Sequence, residues 1–277
     1  MKRYLAAVII GIGLVLAASA QSARERSAFT YTHEGPAKTE QGGEIELREV
    51  ELRTGFPIYR GPSVRVMAGV RWTRYDFSIE EEDLADFTAH SLRFPIRAVG
   101  PEKGGWRWMN MIAPAIRSDL ESVSSDDLGV SAMSLASRDW ARGWRLSLGA
   151  VYSQDFGRSR LFPAIGALWT NEVWTVDVQF PRPRLIYRAT DSLSFGVGLE
   201  PGGDEWNVEL AGTERDVALK EYRAGLGVEW SPVRNLSLQA QAGGVFGREI
   251  DVRGGGEPRL ERDLDETWYA RIALIFR

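Results

Sequence analysis

Thr267-Trp-Tyr-Ala-Arg-Ile-Ala-Leu-Ile-Phe-Arg277 closes the chain and reads as one strand with two unlike faces. Trp268, Ala270, Ile272, Leu274 and Phe276 fall on one side, and Thr267, Tyr269 and Arg271 on the other. A period of two places alternate side chains on the same face of extended backbone. An apolar face with aromatics near both ends, on a strand that runs to the chain terminus, suits the last strand of a membrane β-barrel. There the apolar band meets lipid and the rings sit at the two interfaces. The fold class expected is therefore all-β, an antiparallel transmembrane β-barrel.

The other end of the chain agrees. Lys2 and Arg3 precede an apolar run from Tyr4 to Ala17, and Ala18-Ser19-Ala20 offers the small residues that a signal peptidase reads. Residues 1–20 are expected to be a cleaved signal peptide and residues 21–277 the barrel. The apolar run is short for a spanning helix, which needs about 20 residues. The chain contains no Cys, so it has no disulfide framework, thiolate metal site or lipidated cysteine.

Composition fits an exported β protein. Hydrophobic residues make up 44% and charged residues 26%, with a mean hydropathy of -0.24. That low average is expected when lipid-facing and interior residues alternate. Without Lys2 and Arg3 the chain carries 32 basic and 38 acidic residues, a net charge of −6 that gives no reason to expect a nucleic-acid partner. Ten Trp are available for an interfacial girdle. Trp72, Trp144, Trp174, Trp230, Trp268 and Phe276 are the expected membrane-interface aromatics.

Alternation recurs in segments of about ten residues, the length of a tilted membrane strand. Val64, Val66, Ala68, Val70 and Trp72 oppose Arg65, Gly69 and Arg71. The same pattern returns at 144–153, 174–180, 193–200, 222–230 and 236–243. A soluble β-sandwich also alternates, but here the aromatics lie at the ends of the apolar faces, and the opposite faces are rich in Arg, Gly, Ser and Gln. Tight turns at 170–173 and 231–235 contrast with a long, charged, Gly-rich connection from Gly247 to Glu266. Because outer-membrane barrels have short periplasmic turns and long outer loops, the C-terminus is expected in the periplasm and 247–266 outside. Leu128 to Arg138 alternates weakly, and Phe180 to Asp191 reads as either loop or strand. An even strand count then leaves 12 or 14, and 12 is the expectation.

Phe-Pro recurs at Phe56-Pro57, Phe94-Pro95, Phe162-Pro163 and Phe180-Pro181. Pro donates no ladder hydrogen bond and belongs at strand ends, bulges and edges. With Tyr187 and the Gly-rich strand after it, this spacing resembles a family of outer-membrane β-barrels classed as a domain of unknown function. The resemblance implies a barrel in the outer membrane of a Gram-negative bacterium, with no assigned activity. Such barrels commonly end on the aromatic itself, whereas Arg277 follows Phe276 here.

No reactive constellation stands out. His33 and His90 are the two histidines, and neither lies beside a Ser in a Gly-x-Ser-x-Gly setting. They read as interfacial or loop residues, so no enzyme, catalytic residue, cofactor or metal is expected. Glu80-Glu-Glu-Asp83 and Ser124-Ser-Asp-Asp127 fall in connecting loops and read as solvated charge rather than a cation site, since neither has the Gly-punctuated spacing of an EF-hand loop. Gly254-Gly-Gly256 reads as a flexible outer loop. The interior chemistry is more telling, because 30 Arg accompany only four Lys. Arg65, Arg71, Arg93, Arg97, Arg145, Arg223 and Arg271, with Asp177, Glu200 and Glu229, are the candidate lumen-lining residues. Arg pairs bidentately with carboxylates and phosphates. The wall is thus either an Arg–carboxylate ladder or an anion-favouring pore lining. The expected function is a porin-like channel with an Arg-rich lumen. The alternatives are a closed structural or surface-interaction barrel and, further off, an outer-membrane lipid hydrolase. Expected partners are outer-membrane lipids and lipopolysaccharide, the barrel-insertion machinery, and small solutes if the pore is open.

Overall fold

The computed structural model describes residues 27–80, 84–121, 123–140, 143–153, 160–256 and 258–277. The expected signal peptide and most of the Glu80–Asp83 cluster lie outside the described residues. Every named element is a strand. The first nine are β1 (Ser27–Lys38), β2 (Glu44–Arg60), β3 (Arg65–Glu80), β4 (Phe87–Arg93), β5 (Ile96–Lys103), β6 (Trp106–Ser118), β7 (Leu128–Asp139), β8 (Trp144–Ser153) and β9 (Arg160–Thr170). Then follow β10 (Trp174–Asp177), β11 (Arg184–Arg188), β12 (Leu193–Gly202), β13 (Glu205–Leu210), β14 (Thr213–Val233), β15 (Leu236–Gly254), β16 (Leu260–Leu264) and β17 (Thr267–Phe276).

These segments form one antiparallel sheet, and β1 pairs with β17 from Ser27↔Phe276 to Glu34↔Tyr269, which closes it into a barrel. Three staves are interrupted rather than continuous. β4 and β5 both lie between β3 and β6 and are split at Phe94-Pro95, where Pro has no N–H to give the ladder. β12 and β13 both pair with β14, and β16 and β17 both pair with β15. Counting each interrupted stave once, the barrel has 14 strands.

Twelve strands is therefore wrong, and both doubtful stretches contain strand. Leu128–Asp139 is β7, paired along its length with β6. Its alternation is weak because Ser lies on both faces, Ser134 on one and Ser131 and Ser137 on the other, and Met133 and Leu135 make the inward face partly apolar. β11 lies within 180–191 and pairs with β10 and β12. Each of β10 and β11 is too short to show a period by itself. The 247–266 connection is also shorter than expected. β15 continues to Gly254 and β16 starts at Leu260, so the turn is confined to the residues between them. Gly254, Gly255 and Gly256 all have positive φ, which makes this glycine run a turn element.

The wall obeys the two-residue period. Apolar residues of one parity are exposed on the outside, as at Leu148 (55%) and Ile272 (59%). The opposite parity faces inward and is more buried, as at Tyr269, Arg223 and Ser237. Both chain ends of the described barrel lie at one end, here the near end. Trp144 with Trp169, Trp174 with Tyr187, Trp230 and Phe276 mark the outer face at that level. Trp268 and Trp72 lie higher, and each carries a histidine. His33 meets Trp268 edge-on at 5.0 Å, and His90 stacks on Trp72 at 5.8 Å. From Trp268 to Phe276 is eight residues, about 27 Å along the strand, which a tilt of roughly 35–45° reduces to about 19–22 Å, most of the ~25 Å height of an outer-membrane apolar band.

Placing a charge at mid-height on this surface should prevent stable insertion. Leu148→Arg and Ile272→Arg are each expected to cost about 2–4 kcal/mol. Heat-modifiable gel mobility after folding into vesicles would show a smaller folded fraction, whereas Leu148→Ile should fold normally.

Candidate functional site

The interior has three parts, and the far end is the most filled. β13, the outer half of β14, the outer half of β15 and β16 bear an apolar cluster that packs against the outer ends of β1 to β4. Trp206, Val208 and Leu210 of β13 meet Tyr75, Phe77 and Ile79 of β3, together with Ile45 and Leu47 of β2. Trp206 is fully buried, 4.6 Å from the Tyr75 ring and 5.6 Å from that of Phe77. In strand order β3 and β13 are far apart, so this packing spans the mouth. The bend that permits it is at Gly203, whose φ is +90° and where a Cβ would sit 2.0 Å from the Leu219 carbonyl oxygen. Burying a side chain such as Leu210 or Val208 contributes about 1.5–3 kcal/mol, so the cap is a folded core rather than a loose loop.

Asp204 follows that bend and anchors it. Its carboxylate is fully buried, 2.5 Å from Arg93 of β4 and 3.0 Å from Arg117 of β6. Beyond it, Asn207 bridges to Ser118, and the Glu209 amide donates to Asp119. The β13–β14 hairpin is thus fastened to the opposite wall by charge, backbone pairing and apolar contact together.

Beneath the cap lies a charged wall across β14, β15, β17 and β1 to β4. Arg223 reaches Glu34 at 2.5 Å, Glu221 at 2.7 Å and also Glu49. Arg248 completes the group, 2.8 Å from Glu34 and 3.1 Å from Glu221. Glu34, Glu49 and Glu221 could together hold a metal ion, with ligand atoms within 4.8 Å of one another. Two guanidinium groups already stand among them and supply the positive charge. Arg271 pairs with Glu200 at 2.5 Å, and Arg71 pairs with Glu51. Across this wall and the Asp204 anchor, the arginines at 71, 93, 117, 223, 248 and 271 meet six carboxylates, those of residues 34, 49, 51, 200, 204 and 221. Local charge nearly cancels, which is what makes its burial tolerable.

The third part is the facing wall, β6 to β12. It carries a stretch of uncharged inward positions, Met109 and Met111 on β6, Met133 and Leu135 on β7, Ser147 and Gly149 on β8, and Gly196 and Gly198 on β12, flanked by paired charges such as Arg145 with Asp139, Asp177 with Arg184, and Glu200 with Arg271. The residues that alternate with them, such as Ile112, Leu146 and Val197, are exposed on the outside.

The expected lumen residues divide accordingly. Arg71, Arg93, Glu200, Arg223 and Arg271 join the charged wall. Arg145 and Asp177 instead make local pairs near the near end, Arg145 with Asp139 at 2.6 Å and Asp177 with Arg184 at 3.2 Å. Glu229 takes the Arg277 guanidinium and the Gln239 amide, so the C-terminal arginine is engaged by the wall. Arg97 has one hydrogen bond, to Met67 Sδ at 3.3 Å, and Arg65 has no carboxylate partner among the described residues. Sequence reasoning missed Glu34, Glu49, Glu51, Arg117, Asp204, Glu221 and Arg248. Glu49 and Glu51 share a parity in the run Glu49-Val-Glu51, a signal that was available; Arg248 and Asp204 fell in stretches without a readable period.

A closed antiparallel barrel with an apolar exterior, aromatic rings at two levels and a buried polar wall has the architecture of an outer-membrane β-barrel. The chain belongs to the family described as a domain of unknown function (DUF6268), which matches residues 63–256. The Phe-Pro spacing and strand order had pointed to such a family. Among solved structures it is similar to the COG4313 outer membrane channel from Pseudomonas putida F1. That structure is 12% identical, covers 91% of this chain and 94% of its own, and has a TM-score of 0.51. The toluene transporter TodX of Pseudomonas putida is also similar, at 9% identity over 92% of this chain and 89% of its own, with a TM-score of 0.39. No curated protein matches.

The anchor lends itself to a direct test. Asp204→Ala leaves Arg93 and Arg117 without their shared counter-charge, and breaking a buried pair costs roughly 3–5 kcal/mol. The barrel should stay closed through β1 and β17 while the cap loosens. Limited proteolysis is expected to cut between 203 and 213 in the variant and not in the parent protein.

Proposed function

We propose that this protein is a porin-like channel of the Gram-negative outer membrane whose outer mouth is held shut by its own β13–β14 and β15–β16 hairpins. The near end then faces the periplasm and the far end the outside. The observation that carries this reading is the unequal interior: one wall is packed with paired charge while the facing wall presents Gly, Ser, Ala and Met. A barrel filled solely for rigidity has no need of a wall of small residues. A barrel of this strand number has room for a water path, and that path runs along the uncharged wall. The paired wall supports the ladder reading of the arginines over a ring of free positive charge. It also makes the cap the part that must yield for conduction.

The same exterior surface supports the outer membrane as the location, with its lipids and insertion machinery as proposed partners. The alternative of a closed structural barrel draws on the cap itself, whose apolar core seals the far end. No enzymatic activity is proposed.

Single-channel recording of residues 21–277 in a planar bilayer separates the two readings. The parent protein is expected to open rarely. Replacing Glu205–Ala218 with a two-residue turn should give steady openings. If the trimmed barrel folds, by heat-modifiable mobility, and stays silent, the structural reading stands and the channel reading falls.

Ion preference should follow the arginines that lack carboxylate partners. Arg65→Ser and Arg97→Ser are expected to move the reversal potential away from anions, by the logic of charged rings in pores. Arg71→Ser should instead lower the folded fraction, because it removes the guanidinium hydrogen-bonded to Glu51 and leaves that carboxylate with Arg53 at 3.8 Å. An unchanged reversal potential in a conducting Arg65→Ser, Arg97→Ser double variant would remove the charge argument.

A further inference from the structure

All four methionines beyond the initiator, Met67, Met109, Met111 and Met133, lie on strands β3, β6 and β7. The ladder joins three of them in one row. Met67 is opposite Arg97, Arg97 opposite Met111, Met111 opposite Met133, Met133 opposite Val151, and Val151 opposite Phe162. Directly paired residues share a face of the sheet. That face is the inner one, because the alternating residues Ile96, Ile112 and Leu161 are exposed on the outside. In the neighbouring row Met109 is opposite Leu135. These side chains are only partly buried, apart from Leu135, so they border the interior rather than filling a closed core.

Two chemistries meet in this row. Thioethers on unbranched side chains adapt to apolar guests of varied shape and contact aromatic rings favourably. Arg97 stands in the same row with an exposed guanidinium, and its hydrogen bond goes to the Met67 sulfur, a weak acceptor. Arg65 lies on the same face, one inward position from Met67 and also without a carboxylate partner among the described residues. The other inward arginines of β3 and β4 are neutralised by Glu51 and Asp204. From Arg97 to Phe162 the row crosses four strand spacings, roughly 19 Å at about 4.8 Å each.

Resting on the channel reading above, we propose that this row binds a small amphiphile with an anionic head group. The head is held by Arg97 with Arg65 beside it, and the apolar body lies along Met111, Met133 and Val151 towards Phe162. The occupant is a small molecule because the barrel wall encloses the row. Charge complementarity selects the anionic head.

Methyl-labelled methionine supplies the test in the intact barrel. Residues 21–277 carrying [13C-methyl]methionine, folded in a lipid nanodisc, would be titrated with laurate and, separately, with dodecyltrimethylammonium. A Leu148→Met reporter on the lipid face registers simple partition into the bilayer. Expected are saturable shifts of the Met111 and Met133 methyls with laurate, and weaker ones with the cation. Arg97→Gln should weaken laurate binding by about tenfold, equivalent to 1.4 kcal/mol, in a barrel of normal heat-modifiable mobility. Met133→Leu should retain binding and Met133→Gln should weaken it. Shifts confined to the Leu148→Met reporter would overturn the proposal, as would laurate shifts that Arg97→Gln leaves unchanged. Conductance of the trimmed barrel without methyl shifts would leave the channel reading standing and remove this one. Methyl shifts in a barrel that never conducts would do the reverse.

Discussion

Hydrocarbon offers no hydrogen-bond partner to a peptide group, and the architecture follows from that constraint. Each unpaired N–H or C=O in the bilayer costs several kcal/mol, so a sheet that spans it has to close. Here β1 meets β17 over eight consecutive pairs, from Ser27↔Phe276 to Glu34↔Tyr269. Closure gives the sheet an inside and an outside, and the period of two then divides the chain between them. Ile272 and Leu148 can sit outside only because Arg271, Tyr269 and Ser147 point in.

Closure also creates an interior where charge is costly unless paired. Arg248 and Glu34 are both fully buried, and Arg223 nearly so, and each has its counter-charge. Together these pairs tie β14, β15, β1 and β2 into one stiff wall. Asp204 applies the same chemistry across the mouth, drawing the β13–β14 hairpin onto β4 and β6. The cap then adds apolar burial around Trp206. The wall facing these pairs carries more small and flexible side chains, so the interior is asymmetric.

Much of this was legible. Trp268, Trp144, Trp174, Trp230 and Phe276 lie on the outer face at the ends where alternation put them, and both histidines rest on tryptophans of that face. Arg71, Arg223 and Arg271 face inward as their parity required. The strand count was less legible, because β10 and β11 are too brief to show a period and β7 carries Ser on both faces. The 247–266 stretch was misread because a charged strand that leaves the membrane loses the apolar contrast marking a lipid face. Ile250 and Val252 are buried in the cap, so the stretch is largely paired strand around a short glycine turn.

What the sequence determined by itself was the alternation, and with it the closed barrel, its lipid face and the parity of every side chain on a regular strand. Those depend on a residue and its neighbours two positions away. Only the tertiary structure decided that Asp204 meets Arg93 and Arg117, that Arg223 and Arg248 stand among three glutamates, and that Trp206 seals the far end against β3. Apart from the pairs with Glu221, these contacts join residues about 90 to 210 positions apart. No local period encodes them; they exist because closure brings distant strands around one interior, where each buried charge requires a partner.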